Sequence, residues 1–319
     1  MNLERIRRLV TIVIILATAW SLALVLAVTF WSDDGLGKRL SSIGWPLGLA
    51  TAACFAANHL LRFLRWQLML RAEGYRVAWP RSLSIFMAGL ALLPTPAKAG
   101  VAARSVLLQA EGVPVHVSLA AYFAERLLDL IGLLLLASLL LATAVPAQRW
   151  LILGGIGACA VAVIVLAPRL AGVARRWTSE HPSRLARVLD WGLRFFIDAA
   201  DMIAGWRFGA FVLLGMIANV VTGVFIWYSL RDVPELLDPV KAVGILAVSH
   251  LSGSLSMLPG GLGGFEAGML AQLAGAGVAR GDALVTLALV RIVTLWGSVL
   301  VGLPLLWMGM RRVIAPGGA

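Results

Sequence analysis

The stretch from Leu258 to Gly268, LPGGLGGFEAG, constrains the fold more than any other part of the chain. It lies inside apolar sequence, yet it is made of residues that break helices and uncover backbone. Glycine leaves its amide unshielded and accepts positive φ, and proline supplies no N–H. Bare backbone in hydrocarbon costs several kcal/mol per unpaired group, so it persists only inside protein or against a wet cavity. Glu266 then opens a new apolar run. The pattern predicts a broken or re-entrant helix whose elbow lines a polar site at membrane depth. A loop outside the membrane is the alternative.

Composition supports the membrane reading. The chain is 60% hydrophobic and 13% charged, with a mean hydropathy of +0.90. Several runs reach or approach the roughly 20 apolar residues that cross a bilayer. The net charge of +11 could suggest nucleic acid, but the cations cluster between apolar runs, which topology explains. Cys54 and Cys159 both fall in apolar runs, so neither a disulfide nor a metal framework is expected. Arg5, Arg7 and Arg8 precede a long first span and predict an uncleaved start anchor.

Six spans are expected, at about 9–31, 44–70, 118–143, 150–167, 208–230 and 283–310. Two shorter interrupted segments, 86–100 and 242–276, read as re-entrant elements. The basic loop 168–207 carries seven arginines and suits an amphipathic helix on an anionic surface. With the N-terminus inside, inner loops and tails hold 17 of the 27 Lys and Arg, which predicts both termini in the cytoplasm. Trp31, Trp45, Trp150 and Trp206 read as interface anchors.

An offset of 165 relates the two halves. It carries Leu93-Pro94 to Leu258-Pro259, Gly112-Val113 to Gly277-Val278, Arg126 to Arg291 and Gly132 to Gly297. An offset of 161 carries Asn58 to Asn219 and Trp66 to Trp227. The expected fold is therefore an all-α polytopic membrane protein with an inverted-topology repeat. It has about six spanning helices and two re-entrant broken-helix hairpins. Residues 1–143 form the first unit and 144–319 the second, as in many secondary transporters whose sites lie where the broken elements meet. A duplication serving only as scaffold is the alternative.

The intramembrane charges are the candidate site. Glu125, Arg126 and Asp129 fall within about one turn, Glu125 and Asp129 on one face. Arg291 sits in the related span, Glu266 follows the second elbow, and Lys98 and Arg104 flank the first. Such charges face a cavity or each other. Two arginines in opposed helices can clamp an anion, and their planar fork suits phosphate. Helix N-termini after Pro94 and Gly264 would add oriented N–H groups. Structural ion pairs remain open: Glu125 or Asp129 with Arg126, or Glu266 with Arg291. Arg62 and Arg65 either join the site or snorkel from the end of their span. His59 and His250 read as core histidines. Neither a nucleotide loop, a nucleophile elbow nor HExxH occurs.

Four stretches together resemble the lysylphosphatidylglycerol synthase transmembrane, or flippase-like, family: Arg62-Phe-Leu-Arg65-Trp66; Pro94 with Lys98, Gly100 and Arg104; Glu125-Arg126 with Asp129; and Leu258-Pro259-Gly260-Gly261-Leu262-Gly263-Gly264-Phe265-Glu266. The resemblance covers nearly the whole chain. It implies lipid translocation across the bacterial inner membrane. The cargo is aminoacylated phosphatidylglycerol in the multiple-peptide-resistance factors, and other lipids in relatives tied to hopanoid or polyprenyl-linked pathways. The soluble aminoacyl transferase that follows the membrane part in those factors is expected to be absent. The family often carries Glu after the glycine of the first elbow, where this chain has Val101; Val101 plus 165 is Glu266. The expected function is transport of a phospholipid or a polyprenyl- or hopanoid-type lipid, without enzymatic activity or cofactor. Substrate-binding residues would be Arg62, Arg65, Lys98, Arg104, Glu125, Arg126, Asp129, Pro259, Gly260, Gly261, Gly263, Gly264, Glu266 and Arg291. A membrane enzyme, or a scaffold for lipid synthesis, is the alternative. Membrane lipid is the expected partner and nucleic acid is not; a homodimer and partner enzymes of lipid synthesis stay open.

Overall fold

Glycine and proline cut the apolar sequence into long helices and short ones, and the short ones come in pairs. The computed structural model describes residues 11, 15, 19, 44–95, 99–141, 196–232 and 237–314. Helix α1 (Trp45–Ala72) starts with Pro46 in its first turn, where a missing N–H costs nothing. Two short helices follow, α2 (Trp79–Leu90) and α3 (Ala99–Gln109), then the long α4 (Val115–Leu141). After a helical stretch at 196–202 come α5 (Trp206–Ser229) and α6 (Pro239–Leu255). Asp238 caps α6, its carboxylate accepting the Lys241 N–H at 2.9 Å. A 3₁₀ turn at Pro259–Gly261 leads into α7 (Gly264–Gly275). The chain ends in α8 (Arg280–Arg291), a π turn (Ile292–Trp296) and α9 (Gly297–Ile314), which run on as one rod. Among the described residues there is no strand.

Among the described residues, three helices are long and apolar enough to cross a membrane: Trp45–Ala72, Trp206–Ser229 and Arg280–Arg311. Helix α4 has the length, 27 residues, but carries Glu125, Arg126 and Asp129. At 12 residues, α2 is roughly 18 Å long, too short for a hydrocarbon core of about 30 Å. The expected span at 9–31, apart from residues 11, 15 and 19, the span at 150–167, and residues 168–195 of the expected loop 168–207 lie outside the described residues.

The two halves break at matching places. Helix α2 ends at Leu90 and α6 at Leu255; α4 begins at Val115 and α8 at Arg280. Both pairs of boundaries obey the larger of the two offsets seen in the sequence. Between them, Gly112 and Gly277 both take φ +81°, and each hands on to a valine whose N–H returns to Leu108 or Leu273. That is a helix C-terminus closed by a left-handed glycine, twice. Helices α1 and α5 both begin at exposed tryptophans, Trp45 and Trp206, which obey the smaller offset.

Packing crosses the halves. Helix α2 lies on α9, and α6 lies on α4, so each short arm rests on a long helix from the other half. Helix α1 packs on α5, and α5 also meets α4 and α6. Leu49, Leu60, Leu213, Leu300 and Trp307 point outward, as a lipid-facing surface requires. Close approach depends on small residues. A Cβ added to Gly223 would stand 2.6 Å from the Val243 Cα, which is backbone and cannot swing aside. Gly223→Ala is therefore expected to push α5 off α6 and cost about 1–3 kcal/mol, read as a lower unfolding temperature in detergent.

One residue beyond α1, the Glu73 carboxyl is raised from an ordinary 4.5 to about 7. Burial is the main cause; Asp198 and Asp201 add to it, and Arg207 opposes. An acid raised in the folded state stabilises the fold below its unfolded value, and that contribution is lost as pH rises through about 7. The unfolding temperature is expected to fall between about pH 5 and pH 8. Glu73→Gln should flatten that slope in a pH series of thermal melts.

A candidate anion-binding cavity between the helix breaks

Asp129 on α4 gathers three arginines. Arg65 donates to its Oδ1 at 2.6 Å; Arg62 and Arg126 reach its Oδ2 at 2.9 and 3.0 Å. Arg62 and Arg65 come from α1, one turn apart, so one helix face aims both at the same carboxylate. Neither snorkels. The Arg65 side chain is fully buried, with a further bond from Nη1 to the Phe211 carbonyl. Two asparagines hold Arg62: its Nε donates to Asn58 Oδ1 and its Nη2 to Asn219 Oδ1, both at 3.2 Å. Three guanidinium groups on one carboxylate leave a surplus of two positive charges. Such a surplus is costly to bury.

Arg104 and Glu125 form a separate pair at 3.0 Å, with side chains 5% and 3% exposed. The guanidinium also lies over the rings of Trp66 and Phe86, at 5.4 and 5.0 Å. This pair is self-contained and away from the open surface. Lys98 lies outside the described residues.

The second elbow is fastened by Arg291. Its Nε donates to Glu266 Oε1 at 2.7 Å, its Nη1 to the Gly260 carbonyl at 3.3 Å and its Nη2 to the Gly261 carbonyl at 3.2 Å. The guanidinium lies 4.1 Å from the centre of the Phe265 ring. The other Glu266 oxygen accepts the Gly263 N–H at 2.7 Å, closing the start of α7. The loop can take this form because Gly260, Gly261 and Gly263 have φ of +65°, +67° and +80°. Met257 also has positive φ, +54°, a strained state for a residue with a side chain. The bare carbonyls predicted by the glycine run are thus answered by one buried arginine.

Between the two breaks lies a cavity of about 410 Å³. Leu93 closes it from the first break, and Leu258, Gly260 and Gly261 from the second. The breaks nearly touch: a Cβ on Gly260 would stand 3.6 Å from the Pro94 Cα. Arg126 and Arg291 both line the cavity, from α4 and α8. They are not equivalent. Arg291 is 3% exposed and spends its guanidinium on the elbow, whereas Arg126 is 47% exposed and shares one Asp129 oxygen with Arg62. Arg126 is the more exposed of the two cations at the wall.

Asp129 with Arg126 and Glu266 with Arg291 are ion pairs, and Glu125 pairs with Arg104 instead. Pro259 and Gly264 shape the elbow and lie outside the cavity wall. The wall also includes Tyr122, His250, Ser254 and Thr294, none of which the sequence reading placed there. Tyr122 could have been found, since it stands four residues before Arg126 on the same face. His250, read as a core histidine, packs its ring on Phe265 at 4.9 Å and borders the cavity. His59 is a core histidine, bonded to the Phe55 carbonyl and to Ser298.

The fold and the buried charges define a polytopic α-helical membrane protein with a cationic cavity at its helix breaks. Residues 7–302 match the family described as lysylphosphatidylglycerol synthase TM region, and the chain belongs to that family. A search of curated proteins found no match.

Proposed function

We propose that the protein is a flippase-like lipid transporter. One observation carries the reading: a cavity of about 410 Å³ is bounded by both helix breaks and presents Arg126 from a cluster with surplus positive charge. A lipid phosphate would sit at Arg126, with Arg62 behind it, while the acyl chains stay in the bilayer. The family supports a membrane-lipid role. The helix boundaries that recur at the two offsets support a repeat, here read as inverted, with two re-entrant hairpins, six spans and the unit division near residue 143. The bacterial inner membrane with both termini cytoplasmic is the accompanying location, argued from the cation distribution. The role is transport without covalent chemistry, because the carboxylates beside the cavity are bonded to arginines rather than set to activate a nucleophile. Its partner is membrane lipid; dimerisation and association with lipid-synthesis enzymes belong to the same reading.

The test is lipid scrambling in proteoliposomes. Arg126→Ala is expected to slow movement of an anionic lipid by about tenfold or more, the worth of one charge-assisted contact. Its fold should survive, because Asp129 keeps Arg62 and Arg65. Wild-type rates in a folded Arg126→Ala protein would sink the proposal.

A further inference from the structure

The cavity wall holds cations and hydroxyls but, among the described residues, no carboxylate. The acids nearby are taken. Asp129 accepts from three arginines. Glu266 gives one oxygen to Arg291 and the other to the Gly263 N–H. Glu125 is paired with Arg104, and both are buried. An ammonium group entering this space would meet Arg126 and find no free acid, with the surplus charge of the cluster behind it. Desolvating a cation beside like charge is among the costliest placements a protein can make. A phosphate meets the opposite field. The wall also offers hydroxyl oxygens: Ser254 donates to the His250 carbonyl and Thr294 to the Val290 carbonyl, so each oxygen keeps lone pairs for an incoming O–H.

We infer that the cavity selects an anionic, amine-free polyol phosphate head group, of the phosphatidylglycerol type, and disfavours its aminoacylated form. This rests on the transport reading above and departs from the aminoacyl lipid in the family's name. The device is the pairing of each nearby described carboxylate with arginine, three of them on Asp129 alone, which leaves the cluster around Arg126 with more positive than negative charge at the wall.

The experiment uses the full chain in proteoliposomes with three tail-labelled probes: phosphatidylglycerol, lysyl-phosphatidylglycerol and phosphatidylethanolamine. Phosphatidylglycerol is expected to cross at least about tenfold faster than the lysyl lipid, one such factor being worth roughly 1.4 kcal/mol of discrimination. Equal rates, or a faster lysyl lipid, would overturn the inference while leaving transport standing. If no probe moves, the transport reading fails, and lipid retention by the detergent-purified chain in native mass spectrometry decides the inference. Preferential retention of phosphatidylglycerol upholds it, and equal retention overturns it. Glycerol phosphate serves as a soluble competitor. Displacement of the lipid at equal concentration would assign the site to a soluble anion and overturn the lipid identity. Arg126→Glu should narrow or reverse the preference by placing an acid at the wall, and Arg126→Lys should keep it. A folded Arg126→Glu protein with unchanged preference would overturn the inference.

Discussion

Asp129→Asn is expected to yield little folded protein. The substitution keeps the shape of the side chain and removes the charge that balances Arg62, Arg65 and Arg126. Arg65 has no exposed side-chain surface, and its Nε already lacks a partner. Removing one side of a buried ion pair costs about 3–5 kcal/mol, because the remaining charge stays desolvated. Here one deletion strands three cations, and a membrane domain of ordinary stability has little more than that in reserve. The expected result is a collapse of the monodisperse peak on size exclusion and a steep fall in unfolding temperature. Adding Arg65→Met should restore part of the loss by removing the most buried guanidinium. A stable Asp129→Asn protein would show that water or lipid, and not Asp129, holds the arginines.

Arg291→Met carries the second largest expected effect. It removes the bonds to Glu266 and to the Gly260 and Gly261 carbonyls, together with the contact on Phe265. Each buried group left unpaired costs about 1–3 kcal/mol. The elbow should loosen before the rest of the fold, since Gly253, Gly261 and Phe265 pack tightly there. Hydrogen exchange at the amides of residues 258–263 is expected to rise sharply, and lipid movement to fall by about tenfold or more. The double variant Glu266→Gln/Arg291→Met restores charge balance but not the two carbonyl partners. It should regain stability without regaining the ordered elbow. Slow exchange at 258–263 in Arg291→Met would mean that the glycine turn holds itself.

Much of this was legible in the chain. Helices α1, α5 and the rod from α8 to α9 coincide with apolar runs, and both breaks fall where proline and glycine place them. Arg126 and Arg291 do meet at the cavity between those breaks, paired with Asp129 and Glu266. What the sequence withheld was partnership. Nothing local says that Arg62 and Arg65 would converge on Asp129, three helices further along the chain, or that Glu125 would turn to Arg104 instead of its neighbour Arg126. Helical periodicity assigns a face, but in sequence this apolar most faces look alike. The difference between Arg126 and Arg291 was equally hidden. The two are matched by position, and only the folded elbow reveals that Arg291 is buried on the turn carbonyls while Arg126 stays half exposed. The π turn after Arg291 left no trace in composition, as one extra residue in a helix does not alter its hydropathy.

The crossed seating of the short arms has a consequence for biogenesis. Helix α2 emerges from the ribosome early, whereas α9, the surface it will rest on, is made much later. Until then the face of α2 that meets α9 lacks that partner. Severed between 143 and 196, the chain should yield two fragments that are unstable when made singly and that recover when synthesised side by side.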